Sequence, residues 1–569
     1  MNYIKKIFFF IKDYKKKVYL LFFLIAAGSL LELVSLGILI PVMSYFLGEK
    51  FFYIENFYYF KKDDYIYFLL FFILSIFTFK VIFFLYLNIY KNNLLATISS
   101  DLSKKLFSFY IRKDYSYHLK NSSPKLIGNI DEIVVIVNGT ISAFINIVID
   151  LCIAILIVIF LFNIHPIVTT ILLLSIVAVS LLYYLNVKKY LKKLSEKKFY
   201  LRSSKIKFLQ ESFSGIREIK LFNNYEYAID GFQNSNSGLL KILSKSLTFG
   251  SFPKLIFEFL IIFLFIILIL FLLYFKKDFS YIAFLLGIFL ICSIRILPIV
   301  GRLLNNFQIM KFGKRGVYII YNELKLNESE NKTNKSSVIL SQYTIPFEKE
   351  VKFENVNFAY HENSQLILKD VSMSISRGDI IAIIGDSGAG KSTFLDLFCG
   401  LLRPTKGKIL IDNKNLLFNE SLWQSQISYI SQSIFLNEGT ILENITFGQK
   451  TNLIDNILLE KVLTVSGLNN LIAELPLGIK TYIGEKGLKL SGGQKQRLGI
   501  ARALYRSSDL IIFDEATNAL DLKNEQEVIE SVKDYYIGKT LMFISHRKET
   551  LKYCNVQFKL ENKKITKII

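Results

Sequence analysis

Cysteine is scarce. The 569 residues hold four, Cys152, Cys292, Cys399 and Cys554, and no two are spaced as CxxC. Two fall in apolar runs and two in the polar C-terminal half, which argues against a disulfide framework or a zinc centre. Acidic residues are also few, 47 against 69 Lys and Arg, for a formal net charge of +22. No small-residue cleavage site follows the basic N-terminus promptly, and the first apolar run is too long for a signal peptide. It is expected to remain as an uncleaved span.

Apolar side chains are abundant: 52% of the residues are hydrophobic, with 51 Phe and 32 Tyr. That is too apolar for a soluble protein of this size and too long for one ordinary domain. The apolar residues gather in runs of roughly 20 or more, the length that crosses a bilayer as a helix. The lysines collect between alternate runs, as the positive-inside rule predicts. The positive charge is therefore assigned to the membrane surface, and no nucleic-acid partner is expected.

Six spans are expected at about 18–46, 66–90, 134–164, 166–187, 253–275 and 279–300. The N-terminal KKIFFFIKDYKKK and the segments 91–131 and 188–250 are rich in Lys and Arg, whereas the connections near 48–65, 164–166 and 276–278 are short or charge-balanced. An even number of spans with both ends on the basic side places both termini in the cytoplasm. The long basic segments carry apolar residues every three or four positions and read as helical extensions of the spans. Outside, GEKFFYIENFYYFKKDD at 48–64 suits a short interfacial helix or a plain aromatic belt.

The expected fold is thus an α-helical membrane domain over 1–321, a polar linker over 322–346 and an α/β domain over 347–569.

Within the α/β domain, IAIIGDSGAGKST at 381–393 is an apolar strand running into Gly385, Asp386, Ser387, Gly388, Ala389, Gly390, Lys391, Ser392 and Thr393. This is G-x-x-x-x-G-K-[ST] between a strand and a helix, a backbone cradle for phosphates. Lys391 is expected on the β- and γ-phosphates of a nucleotide and the Ser392 hydroxyl on Mg²⁺. LIIFDEA at 510–516 is a buried strand ending in two carboxylates. Asp514 suits the Mg²⁺ shell, and Glu515 suits a base that polarises the attacking water.

Between them stands LSGGQKQR at 490–497. With it the α/β domain resembles the ATP-binding-cassette proteins, and the family's other marks follow in order. Tyr360 in VNFAYHENS matches the aromatic that stacks on adenine. Gln432 in YISQSIF matches the residue linking the Mg²⁺ and water site to the membrane domain. Asp521 in NALD matches a loop that crosses between subunits, and His546 in ISHR the histidine that holds the γ-phosphate. The resemblance implies that Ser491, Gly492, Gly493 and Gln494 act in trans on ATP held by a second copy, making the partner a homodimer mate. Asn518 departs from the serine usual before Ala-Leu-Asp.

Six spans followed by a cassette look like a half-transporter of the exporter type. The resemblance points to Glu485 in TYIGEKGLKLSGGQ as touching intracellular helices, with partner surfaces near RKDYSYH (112–118) and SGIREIKLF (214–222). With hardly any chain before the first span, no cargo-processing peptidase domain is expected.

Arg295 and Arg302 lie in the apolar run SIRILPIVGR, seven residues apart and so about 20° short of two helical turns. They share a face, with Pro298 between them. Lys80 and Lys254 also sit in or at the edge of apolar runs. Intramembrane cations are costly and generally mark a pathway, so the four are expected to line a cavity for an anionic headgroup. The structural alternative has Lys254 and Arg302 snorkelling, Lys80 pairing with Glu32 or Asp150, and Lys254 pairing with Glu258.

Within exporters, RILPIVGR, these cations, the aromatic outer segment and FEKEVKFENVNFAY resemble bacterial lipid-linked oligosaccharide flippases. That resemblance implies an inner-membrane protein moving a polyprenyl pyrophosphate oligosaccharide across the phospholipid bilayer, using ATP and Mg²⁺. Export of another amphiphile, or ATP-gated conduction without transport, are the competing expectations.

Overall fold

The computed structural model describes residues 3–39, 62–274, 279–334, 347–361, 365–516, 521–545 and 547–569. The chain divides into two units: residues 1–113 with 118–333, and residues 114–117 with 334–569.

The first unit is helical. A short amphipathic helix α1 (Tyr3–Ile11) buries Ile7, Phe10 and Ile11. It leads through a tight turn into α2 (Lys15–Gly37), followed by α3 (Lys62–Ile111), α4 (Tyr115–Lys120) and α5 (Ser123–Val135). Then come α6 (Ser142–Ile164), α7 (Pro166–Ser214), α8 (Ile216–Leu221), α9 (Tyr225–Tyr274), α10 (Phe279–Phe312) and α11 (Lys314–Asn334). Among the described residues, six helices are long and apolar enough to cross a membrane. α3, α7 and α9 have 50, 49 and 50 residues. At about 1.5 Å per residue each far exceeds the roughly 30 Å hydrocarbon core, so their lysine-rich ends project as the sequence suggests.

Large apolar side chains such as Phe23, Phe71 and Ile262 stand exposed, as a lipid-facing surface requires. The interior is held by Ile157, Leu161, Phe257, Phe289, Cys292 and Ile296. Pro253 and Pro298 both lie inside helices. A π-helical turn, Ile136–Ile141, joins α5 to α6 and has no counterpart in the sequence expectations. It packs where Gly313 separates α10 from α11; a Cβ there would collide with the Thr140 hydroxyl.

The chain was expected to loosen from residue 322, but α11 continues to Asn334. Its first half is anchored by a buried stripe of Val317, Ile320, Tyr321 and Leu324, spaced three and four apart, and Glu328 further along meets Lys12. Of the external segment 48–64, residues 48–61 lie outside the described residues.

The second unit has two sheets. Antiparallel strands β1 (Glu350–Phe358), β2 (Leu368–Ser376), β4 (Lys406–Ile411) and β5 (Lys414–Asn415) are ordered β2-β1-β4-β5. The second sheet contains β3 (Ile380–Ile384), β6 (Ile427–Ile430), β7 (Leu510–Asp514), β8 (Thr540–Ile544), β9 (Val556–Glu561) and β10 (Lys564–Lys567). Its order is β10-β9-β3-β8-β7-β6, parallel except for the β9–β10 edge. β8 is buried at every position, as expected for a parallel strand covered on both faces. Helix α12 (Lys391–Phe398), which follows β3 of the second sheet, packs Phe394 and Phe398 against Phe353 of β1, with Trp423 edge-on to Phe398.

Candidate functional site

Ligands of an open parallel sheet bind outside the carboxyl ends of its strands, and there the phosphate loop and both acidic residues meet. β3 ends at Ile384; the loop 385–390 then turns into α12. Gly388 and Gly390 adopt positive φ, 81° and 106°, which glycine tolerates without strain. At Gly385 a Cβ would lie 2.5 Å from the Leu560 carbonyl, so only glycine lets the loop cross β9. Lys391 Nζ donates to the carbonyl oxygens of Gly385 and Asp386, folding its charge over the mouth of the loop. Asp386, Ser387 and Ser392 are exposed, Ala389 is half-buried, and the buried Thr393 hydroxyl meets the Tyr360 hydroxyl at 3.0 Å. Tyr360 keeps an exposed ring edge-on to Phe358. This cradle, with a helix N-terminus behind it and the Lys391 ammonium before it, fits a nucleoside triphosphate.

β7 delivers Asp514 and Glu515 side by side. Glu515 takes a left-handed φ of 49°, held by its N–H to the Ile544 carbonyl at 3.1 Å. A non-glycine residue there stores about 1–3 kcal/mol, strain characteristic of functional positions. Its Oε2 accepts from Gln432 Nε2 at 2.7 Å. The site therefore joins the expected base directly to the residue expected to report to the membrane domain. Ser392, Asp514 and Gln432 supply the hydroxyl, carboxylate and amide oxygens that Mg²⁺ prefers.

Two participants escaped the sequence reading. Tyr429 Oη donates to Asp514 Oδ2 at 2.5 Å. Its place on β6, in register with Ile512 of β7, was readable only once the strand pairing was known. Asp396, one turn after Ser392 on α12, is pushed up to about 6, first by burial and then by the Asp514 charge. The spacing of four was visible in the sequence. Burial is also the main cause that raises Asp514.

The signature segment forms the start of α17 (Gly492–Tyr505), after α13 (Glu420–Ser425), α14 (Ile441–Thr446), α15 (Asn456–Val465) and α16 (Asn469–Glu474). Ser491 is its N-cap: Oγ accepts from Gln494 N–H at 3.3 Å, and Gln494 Oε1 accepts from Ser491 N–H at 2.8 Å. Gly492 and Gly493 fill the first turn and place no side chain over their own N–H groups. Asp521 occupies the N-cap position of α18 (Leu522–Tyr535) and accepts from the Asn524 amide, which holds its carboxyl below the usual range. His546 and Asn518 lie outside the described residues. Glu485 opens a short, exposed 3₁₀ turn. Asp114–Tyr117, the centre of RKDYSYH, clusters with the second unit, with Asp114 3.8 Å from Arg403. In SGIREIKLF, Leu221 and Phe222 are exposed.

In the helical unit each of the four intramembrane cations has a carboxylate. Lys80 Nζ is 2.7 Å from Glu32 and donates to Ser35 at 2.9 Å; both members of the ion pair are 9% exposed by side chain. Lys80 is thus a buried partner of Glu32 rather than an open cation. Arg295 Nε lies 3.5 Å from the same Glu32, with 42% of its side chain exposed. Arg302 donates through Nε and Nη2 to one Asp150 oxygen at 2.9 and 2.7 Å, and its side chain is 53% exposed. Lys254 lies 3.8 Å from Glu258 one turn away.

The ABC transporter transmembrane-region model matches residues 18–296, and an ABC transporter model matches 368–518. A putative export ATP-binding/permease protein of Rickettsia bellii is 29% identical over 80% of this chain and 78% of its own. An ATP-dependent lipid A-core flippase of Cupriavidus metallidurans is 36% identical, but over only 36% of each chain; the match thus spans about a third of that relative's length. A bacterial Atm1-family ABC exporter solved with ATP bound has the same fold, with a TM-score of 0.79 over 97% of this chain and 94% of that one at 19% identity. Phosphate loop, signature helix and acidic strand end, placed after six apolar helices, agree with both family matches: the chain belongs to the ABC transporters, as a half-transporter of the exporter type.

Proposed function

We propose that the chain is one half of an ATP-driven flippase, moving a lipid-linked oligosaccharide on a polyprenyl pyrophosphate, or a similar anionic lipid, from inner to outer leaflet. The observation that carries the cargo is the pair Arg295 and Arg302, which share one face of α10 and remain about half exposed although carboxylates hold them. A guanidinium has five N–H donors. Arg302 turns two atoms, Nε and Nη2, toward Asp150, leaving donors for a phosphate oxygen. The carboxylate fixes the fork, and the fork suits a diphosphate better than an ammonium would. Lys254 is a peripheral contributor, and Lys80 acts by holding Glu32.

Two copies would form two nucleotide sites, each with Ser491, Gly492, Gly493 and Gln494 of one chain facing the phosphate loop of the other. Tyr360 would stack on the base, and residues Gly385 to Thr393 would hold the phosphates. Ser392, Gln432 and Asp514 would hold Mg²⁺, which neutralises phosphate charge. Glu515 would draw the proton from the attacking water, and His546 would steady the γ-phosphate. The lysine-rich helix ends and the cassette lie in the cytoplasm, with the six spans in a bacterial inner membrane.

The experiment is ATPase stimulation of the reconstituted protein by a lipid-pyrophosphate oligosaccharide, in the native chain and in Arg295→Ala/Arg302→Ala. Stimulation lost only in the variant supports this cargo; stimulation equal in both refutes it. The relatives bearing the name lipid A-core flippase favour, as second reading, another amphiphile such as a glycolipid. Stimulation by a glycolipid alone, insensitive to the arginines, would select it.

A further inference from the structure

A cavity of about 490 Å³ opens between α1, α7 and α10, away from Arg295 and Arg302. Its walls change character along its length. Val177 and Leu181 of α7 face Leu304 and Phe307 of α10 at one end, and Ile4 of α1 also lines the cavity. Val177, Leu181, Ile4 and Phe307 are all exposed, so this end is an open greasy trough. At the other end stand Tyr184, Lys188 and Lys311. The two ammonium groups converge on one ring: Lys188 Nζ is 5.8 Å and Lys311 Nζ 5.6 Å from the centre of Tyr184. Neither lysine makes an ion pair with a carboxylate among the described residues, unlike Lys80, Lys254, Arg295 and Arg302. Tyr183 closes the back wall, donating to the Phe249 carbonyl and lying 3.2 Å from Gln308 Oε1.

Two ammonium groups around one ring, neither paired with a carboxylate among the described residues, suit an anion, and the trough beneath them suits a hydrocarbon chain. The dimensions agree. From Val177 to Lys188 the helix advances roughly 16 Å, about half of a bilayer's hydrocarbon thickness of ~30 Å. The trough is therefore one leaflet deep. Its apolar end points to the membrane centre and its cationic end to the lysine-rich side, the attitude of an inner-leaflet lipid.

We infer that this cavity is a binding site for an anionic phospholipid of the inner leaflet, separate from the transport pathway. One acyl chain lies along Val177, Leu181, Leu304 and Phe307, and the phosphate sits between Lys188 and Lys311. Because α1, α7 and α10 each contribute a wall, the lipid bridges all three helices. Its occupancy ties the packing of the N-terminal helix to the helix carrying Arg295 and Arg302. The orientation rests on the cytoplasmic placement of the lysine-rich ends; the cargo does not enter.

The test is native mass spectrometry of the full chain taken from nanodiscs of phosphatidylcholine with increasing phosphatidylglycerol, alongside basal ATPase. The native chain should retain phosphatidylglycerol in preference to phosphatidylcholine. Lys188→Gln/Lys311→Gln should need roughly thirtyfold more phosphatidylglycerol for equal occupancy, from the usual contribution of two lysines near an anionic surface. Lys188→Arg/Lys311→Arg should restore binding, which separates a charge effect from misfolding. Leu181→Trp, filling the trough, should displace the lipid while the lysines remain. Equal retention in the native chain and the glutamine variant would overturn the proposal, as would an unaffected Leu181→Trp. Competition by inorganic phosphate as effective as by the lipid would identify a free-anion site and overturn it too.

Discussion

Gln432 donates its side-chain amide to the Glu515 carboxylate at 2.7 Å. This bond ties the residue proposed as the link to the membrane domain to the residue that would activate water. Glu515 is fixed from below by its own left-handed backbone and from the side by this bond. Replacing Glu515 with Gln removes the base but keeps the shape. ATP turnover should fall by about 10²–10⁴-fold, the usual contribution of a positioned base, while nucleotide binding persists. Phosphate release and fluorescent-nucleotide binding measured on one preparation check both halves.

The Lys80–Glu32 pair is buried on both sides. Glu32→Gln should strand a lysine in an apolar interior and cost about 3–5 kcal/mol, as breaking buried ion pairs does. Glu32→Leu/Lys80→Met should recover most of that. Thermal unfolding in detergent of the single and double variants makes the comparison; a single variant as stable as the native chain would show Lys80 to be solvated or paired elsewhere.

Asp396 has its pKa raised to about 6 by burial and by Asp514. The folded cassette then binds a proton that the unfolded chain releases near pH 4. Stability from this group is full at low pH and declines as pH rises through about 4 to 6. Asp396→Asn should flatten that decline and raise the melting temperature above pH 7, measured without nucleotide. The group is partly open to solvent, so the gain should be modest.

Ser491 both caps α17 and stands at the face expected to meet a second copy's ATP. Ser491→Ala should cost about 1 kcal/mol as a lost cap. Its ATPase loss should be far larger than that, because the hydroxyl would act on nucleotide only in the dimer. Ser491→Thr, which keeps the cap hydroxyl, should hold stability and lose activity less.

Much of this was legible beforehand because the signals are local. Apolar runs of bilayer length announce six crossing helices, and the phosphate loop needs only its own glycines and lysine. The strand end at Asp514 and Glu515 follows from a buried apolar run. What escaped is long-range. Arg302 and Asp150 are separated by 152 positions, and no periodicity links them. Tyr429 reaches Asp514 only through the β6–β7 register. α11 runs on through a polar sequence in which Glu328 meets Lys12, a contact that composition cannot reveal. For Lys80 the sequence left two readings open, and Glu32 decides between them.

The role proposed for Arg295 and Arg302 is to carry an anionic headgroup across the membrane. It is tested most directly by following a fluorescent lipid-pyrophosphate oligosaccharide across liposomes containing the native chain, Glu515→Gln or Arg295→Ala/Arg302→Ala. The native chain should move the lipid with ATP, Glu515→Gln should not, and the arginine variant should hydrolyse ATP while leaving the lipid where it started. Transport by the arginine variant at the native rate would contradict the claim.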